Sequence, residues 1–400
     1  MAEVSQRLTP NAADFNRHLD RTRLVERLRT MVQTPSENPP GNERAVAELV
    51  KGYCNDLGLE LSEHAAEPGR PSIVARWPSG VGPTLNYCSH FDVVPAGDPD
   101  LWDVDPYAAQ YSDGRVHGRG SADAKGPIAA ALEAVDVLRA ADWPLAGTLE
   151  LALVADEETM GFKGAGHLVS EGIVAPDMAI VGEPTSLRVV RAQRGACWYR
   201  VTTRGRAAHG STPERGVSAI RHMAELVLRL DETLPDVDHP LLGGPTINVG
   251  TIHGGGKVNI VPAACVIEVD RRTVPAETQE SVAASIEAAI ELAKKRFPEM
   301  DVRVEPAFFS NPFEVPADAP VVREVAGAIG DATGAPAELI GFRGASDARF
   351  LVEAGSDVVV CGPGDIALAH TARESIDLDE LERAALVYAL AFARLLAPSA

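Results

Sequence analysis

The feature that most constrains this fold is a set of short runs that are apolar on both faces, separated by helical patterns. The runs are Ser72 to Arg76, Thr84 to Ser89, Thr148 to Ala155 and Met178 to Gly182. A strand with one wet face alternates polar and apolar residues, whereas a strand covered on both faces need not. Such runs between helices predict a largely parallel sheet flanked by helices. Asn42 stands where it can cap a helix that presents Val46, Leu49, Val50, Tyr53 and Leu57 and stops at Gly58. Pro127 opens a second helix, with Ile128, Leu132, Val135 and Leu138 on one face.

The texture changes near Ala196. A strand from Ala196 to Gly205 precedes a helix carrying Ile220, Met223, Val227 and Leu230. Strands Thr246 to Ile252 and Ala263 to Arg271 follow around a Gly254-Gly255-Gly256 turn. A helix with Val282, Ile286, Ile290 and Phe297 leads to a last strand from Asp301 to about Phe308. That β-α-β-β-α-β order is the ferredoxin-like arrangement. Beyond Pro312 the first texture resumes, with a helix over Val321 to Ile329, a run from Asp357 to Cys361 and a C-terminal helix from Leu378. The expected organisation is a discontinuous α/β domain, residues 1–195 and 310–400, interrupted by a smaller domain at 196–309. A length of 400 residues suits two domains.

Charge removes some functions. The formal net charge is -20, and phosphate binding needs an excess of Lys and Arg, so nucleic acid is not an expected partner. An anionic membrane surface is disfavoured for the same reason. No stretch is apolar enough to span a bilayer, and the segment up to Leu24 lacks a signal-peptide core, so the expected location is the cytoplasm. Cys54, Cys88, Cys197, Cys265 and Cys361 are scattered and odd in number, which argues against a disulfide framework or zinc ribbon.

In an open α/β sheet, ligands bind beyond the carboxyl ends of the strands. His90 and Asp92 follow the second run, Asp156, Glu157 and Glu158 the third, Glu183 the fourth, and His370 lies in the loop after the last. Asp123 precedes the Pro127 helix and belongs to the same edge. Taken singly, each has a duller reading: a satisfied core histidine, acids at a helix N-terminus, a polar loop. Their shared position is the stronger signal. Converging acids repel unless compensated, and divalent ions with mixed His/carboxylate ligands provide that; zinc suits such a set, with cobalt or manganese as alternatives. Adjacent glutamates on an extended segment would point oppositely, one toward a metal and one toward a substrate water as general base. No phosphate-loop pattern and no G-x-S-x-G elbow competes.

These residues sit in Ser89-His90-Phe91-Asp92-Val93-Val94-Pro95, Gly118 to Gly126, Asp156-Glu157-Glu158-Thr159, Gly182-Glu183-Pro184-Thr185, Ala207-Ala208-His209-Gly210-Ser211 and Ala369-His370. From about Arg21 to Leu396 the chain resembles the metallopeptidase family of acetylornithine deacetylase, succinyl-diaminopimelate desuccinylase, aminoacylase and bacterial glutamate carboxypeptidase. The resemblance implies a zinc-exopeptidase-like catalytic domain with a mostly parallel sheet and an inserted ferredoxin-like lid and dimerisation domain. It implies two divalent ions bridged by Asp123, one also held by His90 and Glu183, the other by Glu158 and His370. Glu157 would be the general base, Asp92 would orient His90, and a cis peptide would fall at Asp123-Ala124. His209 would reach a partner subunit's active site in a homodimer and polarise the scissile carbonyl. Asn259, Arg272, Gly344 and Ser346 would contact substrate, the arginine through a carboxylate. Ala124 stands where many relatives carry Met or Asp. Glu183 leans by family analogy toward deacylases and carboxypeptidases over aminopeptidases, and Cys361-Gly362-Pro363-Gly364 before His370 is most similar to the acetylornithine deacetylase branch. The substrate expected is an N-acyl amino acid or similar carboxylate-bearing amide; alternatives are a carboxypeptidase or dipeptidase, a deaminase, or a non-catalytic binding protein on the same scaffold.

Overall fold

The computed structural model describes residues 10–398; of the segment read for a signal peptide, Met1 to Thr9 lie outside the described residues. The chain divides into two compact units. The larger takes the chain up to Arg191, Val315–Ile340 and Ser346 onward; the smaller takes Ala192–Glu314 and Gly341–Ala345.

The sheet of the larger unit runs in the order Glu60–His64, Ser72–Pro78, Thr148–Val154, Thr84–His90, Met178–Val181, Asp357–Val360, Val189–Gln193. From Thr148–Val154 to Asp357–Val360 the neighbours are parallel, and the pairings on either flank are antiparallel. The parallel centre follows from its residues. In Thr84–His90 and Thr148–Val154 every position after the first is buried, whereas the edge strand Glu60–His64 has none buried. Helix Lys125–Ala140 lies against Leu378–Leu395, and its Ala129, Ala130, Ala131 and Ala134 keep the approach close. Tyr87 ties strand to helix: its ring meets Tyr388 edge-on at 5.0 Å and its hydroxyl donates to Pro127 O at 2.8 Å. Burying such an aromatic is worth about 1.5–3 kcal/mol.

Two helix starts differ from the sequence expectation. The first helix spans Arg44–Asp56 with Glu43, not Asn42, at its N-cap, and Glu43 makes no capping bond because its carboxylate holds Arg70 instead. The second starts at Lys125, so Pro127 lies inside its first turn, where no intrahelical N–H is missed.

The smaller unit contains Gly195–Arg204, helix Ala219–Leu230, Thr246–Gly254, Ala264–Thr273, helix Gln279–Lys294 and Asp301–Ser310. The strands order as Thr246–Gly254, Ala264–Thr273, Gly195–Arg204, Asp301–Ser310, and all pairs are antiparallel. Here burial alternates along the strands. Tyr199, Val201, Cys265, Ile267 and Val269 face Met223, Leu226, Leu230, Val282, Ile286 and Ile290 in one core. Ile220, expected on the buried face of its helix, is 39% exposed; Ala219 takes the inward position. Ser218 and Thr278 cap the two helices. All five cysteines are free and buried. Among the described residues, no helix is long and apolar enough to cross a membrane.

Candidate metal centre

The parallel strands point their carboxyl ends to one edge, and chemistry-bearing residues stand there. His90 is the last residue of its strand. Glu183 comes two residues after Met178–Val181, and the Asp156-Glu157-Glu158 segment two after Thr148–Val154. His370 sits in the loop after Asp357–Val360 with a φ of 61°. Asp123 precedes the Lys125 helix, and the Asp123-Ala124 peptide is cis.

The structure brings the five expected ligands together, and Asp123 lies between the two imidazoles. Its Oδ1 is 3.1 Å from His90 Nε2, and its Oδ2 is 3.2 Å from His370 Nε2. Glu183 Oε2 stands 3.8 Å from His90 Nε2, and Glu158 Oε2 3.0 Å from His370 Nε2. Each side thus holds an imidazole, a private glutamate and one oxygen of the shared aspartate. Donor atoms of His90, Asp123 and Glu158 all lie within 4.8 Å of one another, a grouping able to hold a metal ion.

Two observations test the fit. Glu158 Oε1 and Glu183 Oε1 are buried without a hydrogen-bond partner, and buried acceptors of that kind call for an explanation. The donors are imidazole nitrogen and carboxylate oxygen, which suit zinc, cobalt or manganese. The residues fit divalent cations.

Electrostatics follow from the crowding. Burial pushes the Glu183 carboxyl up to about 6, and burial with the nearby Glu183, Asp347 and Glu158 acids pushes Glu157 well above the usual carboxylate range. Hydrogen bonds to Asp123 and Glu158 raise the His370 imidazole to about 10. Burial opposes charge on His90, yet Glu183, Asp123 and Asp92 hold its imidazole well above its ordinary value.

Glu157 and Glu158 do not lie on an extended segment, as the sequence reading had it. They open a 3-10 turn, Glu157–Thr159, flanked by Asp156 and Met160 with φ of 74° and 87°. The reason is Asp92, whose carboxylate accepts from Glu157 N at 3.2 Å and Glu158 N at 3.1 Å and so curls the segment over itself. Asp92 also faces His90, although the shorter contact of His90 Nδ1 is Asp92 O at 2.9 Å, with the carboxylate at 3.5 Å.

Sequence reasoning missed several supports of this centre. Asn38 Nδ2 donates to Asp92 Oδ2 at 2.8 Å. The buried Glu374 accepts from Ala122 N and Asp123 N at 3.1 Å each, and pairs with Arg119. Asp347 Oδ1 occupies the place a Cβ on Gly161 would take, 2.1 Å from it. Asn38 before Pro39 reads as a turn, and Glu374 ends no strand, so strand-end reasoning passes both by. Asp347 was not missed: it closes the Gly344-Ala345-Ser346-Asp347 loop that the resemblance places near the metals; Ser346 is buried in the larger unit, whereas Gly344 belongs to the smaller.

In the smaller unit, His209 is exposed and its Nδ1 lies 2.7 Å from Ser211 Oγ. His209 bridges to Ile260, and Gly210 N donates to Asn259 O at 2.8 Å, so His209 and the exposed Asn259 sit on adjoining segments. Arg272 is half-buried, its Nε and Nη2 on Asp270 Oδ2 at 3.1 and 3.0 Å. The neighbouring Arg271 is fully buried and paired with Glu277, a structural role.

Comparison with known proteins identifies the family. Residues 87–394 match the model of peptidase family M20/M25/M40. An acetylornithine deacetylase from Myxococcus xanthus is 35% identical over 352 residues, 85% of this chain and 86% of that protein. Another, from Proteus mirabilis, is 31% identical over 90% of this chain and 93% of its own length. Among solved structures, the aminopeptidase PepT from Bacillus cereus superposes with a TM-score of 0.80 at 25% identity, covering 94% of this chain and 99% of that one. The metallo-carboxypeptidase Sso-CP2 from Sulfolobus solfataricus shares the fold, with a TM-score of 0.75 at 18% identity, covering 93% of this chain and 99% of that one. Strand-end histidines and carboxylates, a family match across most of the length and relatives more than 30% identical over most of the chain converge: the chain belongs to peptidase family M20/M25/M40 and is a metal-dependent hydrolase of amide bonds.

Proposed function

We propose that this chain hydrolyses the amide bond of an N-acyl amino acid or a related amide carrying a free carboxylate. The observation that carries the reading is the sharing of Asp123, one oxygen toward each imidazole, with Glu157 next to the glutamate on one side. His90, Asp123 and Glu183 would hold one divalent ion, and Asp123, Glu158 and His370 the other, with zinc the best match to the donors. Such ions would supply Lewis acidity at the scissile carbonyl and make water a better acid. Glu157 accepts the water proton on its carboxylate and passes it to the departing nitrogen. Asp92 fixes the His90 ring and, through the amides of Glu157 and Glu158, the position of both acids.

The smaller unit, with expected limits 196–309, serves in this reading as lid and dimerisation domain of a homodimer. His209 polarises the scissile carbonyl, Asn259 and Arg272 bind substrate, and Gly344 and Ser346 line the approach to it. Motif agreement with the family supports these roles, as do the exposure of His209 and Asn259 and their adjoining positions. Relatives named acetylornithine deacetylase favour a small acyl group on the amine.

A second reading is cleavage of short peptides, favoured by the likeness to an aminopeptidase at a TM-score of 0.80. A panel of acetylated and succinylated amino acids and dipeptides separates the two by kcat/KM. The expected result is a preference for the acylated amino acids of at least about tenfold, some 1.4 kcal/mol of transition-state binding. Equal or faster cleavage of dipeptides would overturn the deacylase assignment.

A further inference from the structure

The turn that carries Glu157 and Glu158 is held from two sides, and the proposed chemistry uses one of them. Asp92 grips the amides from the metal side. On the other side the Asp156 carboxylate is the anchor. Its Oδ1 accepts from Arg70 Nη1 at 2.7 Å and Thr159 Oγ1 at 2.8 Å, and its Oδ2 from Lys163 N at 2.9 Å. Arg70 is in turn fixed by Glu43, which receives its Nε at 3.1 and 3.2 Å and its Nη2 at 2.5 Å. The side chains of Arg70, Glu43 and Asp156 are 7%, 0% and 2% exposed, so this chain of charges is buried from end to end.

The arrangement has features that simple packing does not require. Asp156 and Met160, neither of them glycine, both hold left-handed backbone, which costs of order 1 kcal/mol each and persists only where surroundings impose it. The side-chain bonds of Asp156 reach across the turn to Thr159 at its end and to Lys163 beyond it, so the residue before the turn holds the segment after it. Thr159 Oγ1 also accepts from Asn38 Nδ2 at 2.9 Å, and the same Asn38 amide donates to Asp92 Oδ2. The two clamps are therefore one network, running Glu43, Arg70, Asp156, Thr159, Asn38, Asp92. Gly41, with φ of 89°, leaves the space its terminus needs: a Cβ there would lie 2.4 Å from Arg70 Nε. Arg70 is suited to this place because a planar fork can serve two carboxylates at once, which an ammonium cannot do with the same geometry.

We infer that Arg70 is a positioning residue for hydrolysis: through Asp156 it sets the placement of the Glu157–Glu158 turn against the metal centre. The inference rests on the proposed role of Glu157 as base. Arg70 contacts neither that residue nor any of the expected ligands, so its effect reaches them through the backbone of the turn. A misplaced base lowers turnover without weakening substrate capture, and a displaced Glu158 weakens metal binding.

The test compares Arg70→Met, Arg70→Lys and Asp156→Asn with Arg27→Met and Glu157→Ala in the full-length zinc-loaded protein. Arg27 is the matched control: its side chain is 9% exposed and paired with Asp136, which lies toward the C-terminal end of helix Lys125–Ala140, the end opposite Asp123. Expected are a fall in kcat of about 10- to 100-fold for Arg70→Met and Asp156→Asn with KM little changed, and weaker zinc binding by titration of the metal alone. Arg70→Lys should recover part of the loss. Arg27→Met should lower the melting temperature and leave kcat intact. If Arg70→Met does not fold, Asp156→Asn carries the same reading, since Asn tolerates left-handed backbone. Wild-type kcat and zinc affinity in a folded Arg70→Met or Asp156→Asn protein overturn the inference, as does an equal kcat loss in Arg27→Met. Retained turnover in Glu157→Ala instead overturns the proposed base, whatever the Arg70 variants do.

Discussion

The strand-end centre of the larger unit and the candidate substrate residues of the smaller, His209 and Asn259 on adjoining segments and Arg272 near the far end of strand Ala264–Thr273, are built on opposite principles. At the centre His90, Asp92, Asp123 and Glu183 are buried, Glu158 is nearly so and His370 is exposed, and their partners come from distant parts of the chain: Asp123 meets His90 and His370, and Asp92 meets Asn38 and Glu157. In the smaller unit the side-chain partners are near in sequence: Ser211 for His209, Asp270 for Arg272. Long-range partners fix geometry in advance of substrate. Local partners leave a side chain free to exchange them for a ligand. In the proposed reading the first region would carry the proton chemistry and Asn259 and Arg272 would capture substrate, with His209 acting on the scissile carbonyl, and that contrast can be broken experimentally.

The largest effect is expected from Glu157→Ala, which should lower kcat about 100- to 10,000-fold while the protein keeps its metal by elemental analysis. Loss of metal together with activity would show that Glu157 is a ligand and not a base. Next, Arg272→Ala should raise KM for an N-acyl amino acid about tenfold, since a charge-assisted hydrogen bond is worth about 1.5–3 kcal/mol, with kcat and metal content steady. A kcat loss with unchanged KM would erase the distinction between the two regions.

The smallest effect concerns thiols, on which the two units should agree. Burial pushes Cys54 and Cys361 in the larger unit and Cys197 in the smaller up to about 12 from 9.0. Between those values the unfolded chain has released protons that the folded chain retains, so stability falls as pH climbs above 9.0 and the loss is complete near 12. Replacing each by Ala should flatten that alkaline slope in denaturant titrations. An unchanged slope would mean these thiols ionise alike in both states. In native protein at neutral pH, none should react readily with a thiol reagent.

Much of this was legible in the residues. Strands buried on both faces identify themselves by unbroken apolar runs, and the parallel centre of the sheet with its strand-end chemistry follows. The supports were harder. Asn38 and Glu374 act across long sequence separations, and nothing in their neighbourhoods distinguishes them from an ordinary turn residue and a loop acid. Asn42 was read as a cap because local rules favour Asn there, but the buried pairing of Glu43 with Arg70 set where the helix begins. The Glu157–Glu158 turn was misjudged for a similar reason: its curvature comes from Asp92, contributed by another strand end. Tertiary partners decide such details, and a single chain read in order does not display them.

The strand Asp357–Val360 lies between Met178–Val181 and Val189–Gln193, although it is made near the end of the chain. A growing polypeptide must hold two neighbours apart, or leave one undocked, until translation has passed the whole smaller unit. His370 follows that strand directly, so the centre cannot be assembled on a nascent chain that stops short of it. Synthesis order would thus act as a gate: a chain ending before this strand would lack an interior strand of its sheet and His370, one of the proposed metal ligands.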